Sequence, residues 1–177
     1  MINYILLTGL TGALTLVVGA AWPEEKGKAL DSTKDWLFAF GALFMLAYAM
    51  LNYFFAAGSI FFILLELMVI VASVLMMLDT SDRIDTMVLT LFGLAFIVWS
   101  VLLYEGINTI YFIIGLTGVS LGYAFDMGSI RRFLALTVGS ILIAIFSYLV
   151  GDMIFLGLNA FFALFSAYYL VKILSKA

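Results

Sequence analysis

The sequence predicts an all-α membrane protein: seven transmembrane helices, arranged as two parallel three-helix repeats joined by a linker helix. Three observations predict it. First, the 177 residues are 66% hydrophobic and 11% charged, with a mean hydropathy of +1.24. A soluble domain is about 45–50% apolar and about 25% charged, and a chain of this size cannot hide such an excess in one core. Second, the chain divides into seven apolar runs, each close to the length a spanning helix needs. Third, its charges are sorted by side, and short patterns recur between its two halves.

The runs cover residues 2–22, 36–55, 60–78, 86–104, 109–125, 133–150 and 153–172. Backbone polar groups in lipid must be satisfied within the chain, and the runs lack the alternation of a membrane strand, so each reads as a helix. Run one is followed by Pro23, which ends a helix without kinking it. Runs two and three are joined by residues 56–59, and runs six and seven by Gly151 and Asp152. Both are tight turns in which Gly58 or Gly151 is expected to supply the unusual backbone angles. Residues 23–35, 79–85 and 127–132 form longer connections. Run four has no counterpart. It is the odd span that lets a second three-helix unit enter the membrane in the same sense as the first. The expected divisions are 1–79 for the first bundle, 80–107 for the linker helix and 108–177 for the second bundle.

Lys26, Lys28, Lys34, Arg83, Arg131, Arg132, Lys172 and Lys176 all fall on one side of such a topology, and the other side has only Glu105 and Asp152. The excess of Lys and Arg in cytoplasmic loops then puts the N-terminus outside and the C-terminus in the cytoplasm of a plasma (inner) membrane. Trp22 and Trp36 sit at the cytoplasmic helix ends, as interface anchors. The first apolar run is long enough to span and has no basic segment before it, so no cleavable signal is expected.

Gly9-Leu10-Thr11-Gly12 recurs as Gly115-Leu116-Thr117-Gly118, each in the first helix of its unit. Gly58 then aligns with Gly151. The offset shrinks by thirteen residues between these pairs, about the length of the connection 23–35. Beyond the turns Phe62 meets Phe155, Leu65 meets Leu158 and Ser73 meets Ser166 without a gap. Gly115, Gly118 and Gly122 carry a small-residue pattern that suits close helix packing.

The same register sets Glu66 opposite Asn159, in the outer half of the membrane. A carboxylate in mid-span costs roughly 2.5–3.5 kcal/mol on insertion scales, and is a functional-site candidate by default. Ser59, Glu66 and Ser73 are spaced by seven and share one face of their helix; Asp152, Asn159 and Ser166 repeat the spacing. Both stripes are expected to line the interface between the repeats, where carriers of this architecture hold their substrates. Asn52 is expected to reach Glu66 across the Gly58 turn. The candidate binding residues are therefore Glu66, Asn159, Asn52, Ser73 and Ser166. The same residues also admit structural roles. Ser73 and Ser166 could bond back to their own helices, Asn159 could join helices, and Glu66 could be a protonated acid paired with Asn52. Tyr168 and Tyr169 read as interface anchors, and Asp126 with Arg131 and Arg132 as a solvated turn.

Seven helices in a three–one–three layout, N-terminus out and C-terminus in, resemble the SWEET sugar facilitators and their relatives, the PnuC-type vitamin transporters. Small bacterial inner-membrane proteins of the YgjV type are similar in layout. In SWEETs an asparagine of the third helix and one of the seventh face the sugar. The resemblance implies that role for Asn159, and for Glu66, which stands where the first asparagine would be. The gate prolines of SWEETs and the tryptophan motif of PnuC-type proteins are absent; the only proline is Pro23.

The expected function is a facilitator or proton-linked carrier of a small polar solute, such as a sugar, a vitamin or a cationic metabolite, working by alternating access between two bundles. The alternative is a non-transporting assembly or sensor subunit. Partners are the lipid bilayer and the solute; a homo-oligomer is compatible with the sequence. With no cysteine and no histidine, neither cofactor nor metal is expected. No nucleophile–base pair or phosphate loop suggests an enzyme, and the few scattered basic residues do not suggest nucleic-acid binding. A retinal protein would need a lysine in the middle of helix seven, whereas Lys172 lies at its end.

Overall fold

A computed structural model of the chain describes residues 2–23, 32–78, 80–125 and 128–175. Lys26, Lys28, Lys176 and Asp126, named above for their charge, lie outside the described residues. Seven helices follow one another: α1 (Ile2–Ala21), α2 (Thr33–Phe55), α3 (Phe61–Leu78), α4 (Asp82–Leu102), α5 (Ile107–Ala124), α6 (Ile130–Val150) and α7 (Met153–Leu174). All seven are long and apolar enough to cross a membrane. Large apolar side chains such as Leu102, Ile107 and Leu164 lie on the outer surface, the arrangement that suits lipid as solvent.

Several helices extend past the apolar runs because polar residues cap them. Ser32 Oγ accepts the amide of Asp35 at 3.3 Å, so α2 starts at Thr33. Ser129 Oγ accepts the amide of Arg132 at 3.2 Å, so α6 starts at Ile130. Such caps satisfy amides that a helix start leaves without a partner.

The helices form two compact units, Met1–Ser81 and Asp82–Ala177. In the first, α2 packs against both α1 and α3. α1 and α2 approach through glycine. A Cβ on Gly12 would lie 2.8 Å from the Met45 amide nitrogen, and one on Gly41 would lie 2.7 Å from Leu16 Cγ. Phe61, Phe62 and Met68 of α3 are fully buried, with Met45 of α2, and Leu65 is nearly so.

In the second unit α4 packs on α5, α5 on α6 and α6 on α7. Thr86 of α4 donates to the Ala124 carbonyl at 3.1 Å, and Arg132 of α6 donates to the Phe125 carbonyl at 3.2 Å. Two carbonyls left over at the end of α5 are thereby satisfied. The α5–α6 contact is backbone on backbone. A Cβ on Gly118 would lie 2.8 Å from Gly139 Cα, and one on Gly139 would lie 2.6 Å from the Val119 nitrogen. The glycine spacing of α5 thus meets a fourth glycine on the facing helix. Above it Phe112 and Phe146 pack with ring centroids 5.2 Å apart.

The two tight turns differ in one respect from expectation. Gly151 takes the left-handed conformation at φ +79°, but in the first turn that residue is Ala57, at φ +53°. Gly58 is needed for space instead: a Cβ there would lie 2.8 Å from Asn52 Cγ. Its amide and that of Ala56 both close on the Asn52 carbonyl at 2.9 Å. A left-handed Cβ costs roughly 1–2 kcal/mol. Ala57→Gly is therefore expected to stabilise unit 1 by about 1 kcal/mol, read as a higher unfolding midpoint in detergent. An unchanged or lower midpoint would contradict the assignment.

Candidate functional site

Glu66 is the polar residue most at odds with its surroundings. It lies five residues inside α3, roughly 7–8 Å along the axis from Phe61. The helix starts at Phe61, one residue after the start of its apolar run. The helical neighbours one turn away are Phe62, Ile63, Val69 and Ile70. α3 is also the most enclosed span, 50% buried against 22% for α4. Glu66 itself is 1% exposed. Its Oε2 is buried without a hydrogen-bond partner among the described residues. An unsatisfied buried group of this kind costs about 1–3 kcal/mol, so the fold alone gives no reason for it.

The expected bond from Asn52 to this oxygen is not formed. The Asn52 amide Nδ2 donates instead to Tyr48 Oη, one turn back on α2, at 3.4 Å. Tyr48 is buried and was not among the residues expected from sequence. The signal was its place four residues before Asn52, on the same helix face.

Ser73 is buried two turns along α3 and donates to the Val69 carbonyl at 2.8 Å. In the second unit, Asn159 is buried on α7 and donates through Nδ2 to the Phe155 carbonyl at 2.9 Å. Ser166 is buried on the same helix, two turns on. Both stripes begin with a cap. Ser59 Oγ accepts the Phe61 amide at 3.3 Å. Asp152 Oδ1 accepts the amides of Ile154 and Phe155 at 3.2 and 3.1 Å. Thus Ser59 and Asp152 start their helices, Ser73 and Asn159 bond to their own helices, and Glu66 alone of the six ends in a buried oxygen without a partner.

Among the described residues one other buried oxygen is in that position: Ser120 Oγ of α5, against Gly93 of α4. The sequence offered no periodic signal for it, since its neighbours of note are the glycines that pack on α6. Tyr168 is exposed, and Lys172 Nζ lies 5.9 Å from its ring centroid and 5.6 Å from that of Tyr169. That arrangement suits an anchor rather than a cavity wall. Among the described residues no three His, Cys, Asp or Glu side chains gather where a metal could be held.

Fold and site together define a multi-pass α-helical membrane protein with an isolated acid buried in one span. Comparisons of the chain with protein-family models, with curated proteins and with solved structures return no match.

Proposed function

We propose that the protein is a membrane transporter, a facilitator or proton-linked carrier of a small polar solute. It would work by alternating access of two parallel three-helix repeats, α1–α3 and α5–α7, with α4 as linker. Glu66 and Asn159 would be the solute-binding side chains of their respective units, with Asn52, Ser73 and Ser166 beside them. The N-terminus would lie outside and the C-terminus in the cytoplasm of a plasma membrane, as the placement of Lys and Arg favours.

The observation that carries the reading is the buried, unpartnered Glu66 oxygen. A span that tolerates such a group without structural return is best understood as holding it for a ligand. The repeat is supported by local likeness. Each proposed repeat joins its second and third helices by a tight turn with a left-handed residue, and caps the third with a side chain that accepts the amide two residues on. In each, the first helix meets the second through glycine.

The chain has no cysteine, so Ser73→Cys or Ser166→Cys supplies a sole thiol. In a carrier, both are expected to react with a small water-soluble methanethiosulfonate in proteoliposomes. The second reading, a non-transporting assembly or sensor subunit, is favoured by the self-directed bonds of Ser73 and Asn159. It predicts thiols as unreactive as one placed at lipid-facing Leu164.

A further inference from the structure

We propose that Glu66 is a proton-binding site: the species that neutralises it in the working cycle is a proton, not a metal ion or an organic ammonium. The inference rests on the carrier reading only for what the proton is coupled to.

Among the described residues of unit 1, no counter-charge stands near an ionised Glu66. Among the described residues α3 carries no other ionisable side chain. α2, the helix packed against it, carries Lys34 and Asp35 in its first turn, far from the Gly58 turn, and Tyr48 and Tyr53 near that turn. Tyr48 Oη accepts the Asn52 amide. The described residues of the unit therefore supply no balancing charge, and three kinds of mobile cation could do so. A hard metal ion takes about six or more oxygen ligands, and the residues one turn on either side of Glu66 offer none. An organic ammonium directs three donors, and here one carboxyl faces apolar neighbours. A proton needs a single oxygen. The buried Oε2 supplies it, and the neutral acid is the form an apolar span can hold.

The cycle has a simple balance. Water on one side of the membrane gives a proton to the carboxylate and an O–H bond forms. The neutral acid is then enclosed at the buried position that Glu66 occupies in the structure. Exposure to the other side lets water take the proton, and the carboxylate returns. No other bond is made or broken.

Infrared difference spectra between acid and alkaline pH test this on the purified protein in lipid, with no solute present. The wild type is expected to show the carbonyl stretch of a protonated carboxyl, shifted when glutamate is carbon-13 labelled and lost in Glu66→Gln. Glu66→Asp, which keeps an acid there, is expected to keep a titrating band that no longer shifts with labelled glutamate. Exchanging sodium for choline, or adding magnesium, at constant pH should leave the wild-type band unchanged. A wild type without a titrating band assignable to Glu66 overturns the proposal, as does a band that fades with cation concentration at constant pH. A titrating band with unreactive thiols at 73 and 166 keeps the proton site and sinks the carrier. Reactive thiols without the band do the reverse.

Discussion

Gly139→Ala is expected to cost the second unit about 1–3 kcal/mol, and Gly139→Leu to prevent its folding. The added Cβ would lie 2.6 Å from the Val119 nitrogen, 2.8 Å from the Gly115 oxygen and 2.9 Å from the Gly118 carbon. All three are backbone atoms of α5, so no side chain can turn aside; the helices must separate. Helices in lipid associate through close packing and polar contacts, with no hydrophobic force between them, and separation forfeits that packing along the whole contact. The control is Gly157→Ala on α7, where an added Cβ meets nothing within 4 Å. That change should be neutral or stabilise by up to about 1 kcal/mol through helix propensity. Unfolding in detergent measures both. Equal midpoints for the two variants would contradict the packing described for α5 and α6.

Glu66→Leu is expected to separate stability from activity. The substitution replaces a buried oxygen without a partner by a carbon of similar reach. The fold should gain about 1–3 kcal/mol, the cost of leaving such a group unsatisfied. In a carrier, uptake should fall as well: losing a hydrogen bond to the neutral acid removes about 0.5–1.5 kcal/mol of binding, roughly a two- to tenfold loss in affinity. Stabilisation with loss of function is the mark of a residue kept for its chemistry. The measurements are the unfolding midpoint and uptake by proteoliposomes from a panel of sugars, vitamins and cationic metabolites. Glu66→Gln should lie between, keeping bulk and polarity while removing the pH dependence. A destabilised Glu66→Leu with uptake intact would assign Glu66 to the fold instead.

The helices were legible in the sequence because lipid imposes one requirement on every span, and seven apolar runs state it directly. Their ends were less so. Hydropathy marks where lipid stops, whereas a helix stops where its amides find other partners. Ser32 and Ser129 carry α2 and α6 three residues beyond their apolar runs. The left-handed residue of the first turn was misplaced by one, because glycine beside alanine points to glycine. Only the closeness of the Asn52 side chain shows that Gly58 serves another purpose. The burial of Glu66, Ser73, Asn159 and Ser166 follows from their seven-residue spacing, which returns nearly to the same helix face. Their partners did not follow. Asn52 had two oxygens within plausible reach, and the choice of Tyr48 over Glu66 depends on side-chain rotation, which no spacing records.

The contact between Leu16 and Gly41 bears on the proposed repeat. Under the register that aligns the two Gly-Leu-Thr-Gly segments, Leu16 of α1 corresponds to Gly122 of α5. There the bulk comes from the opposite helix: a Cβ on Gly122 would lie 2.5 Å from Leu136 Cγ of α6. Knob and socket have traded places. Grafting α1 in place of α5 would drive two leucines together, and the reciprocal graft would leave a hollow over Gly41. If a duplicated ancestor once used interchangeable parts, this exchange has since made each half a lock for its own key.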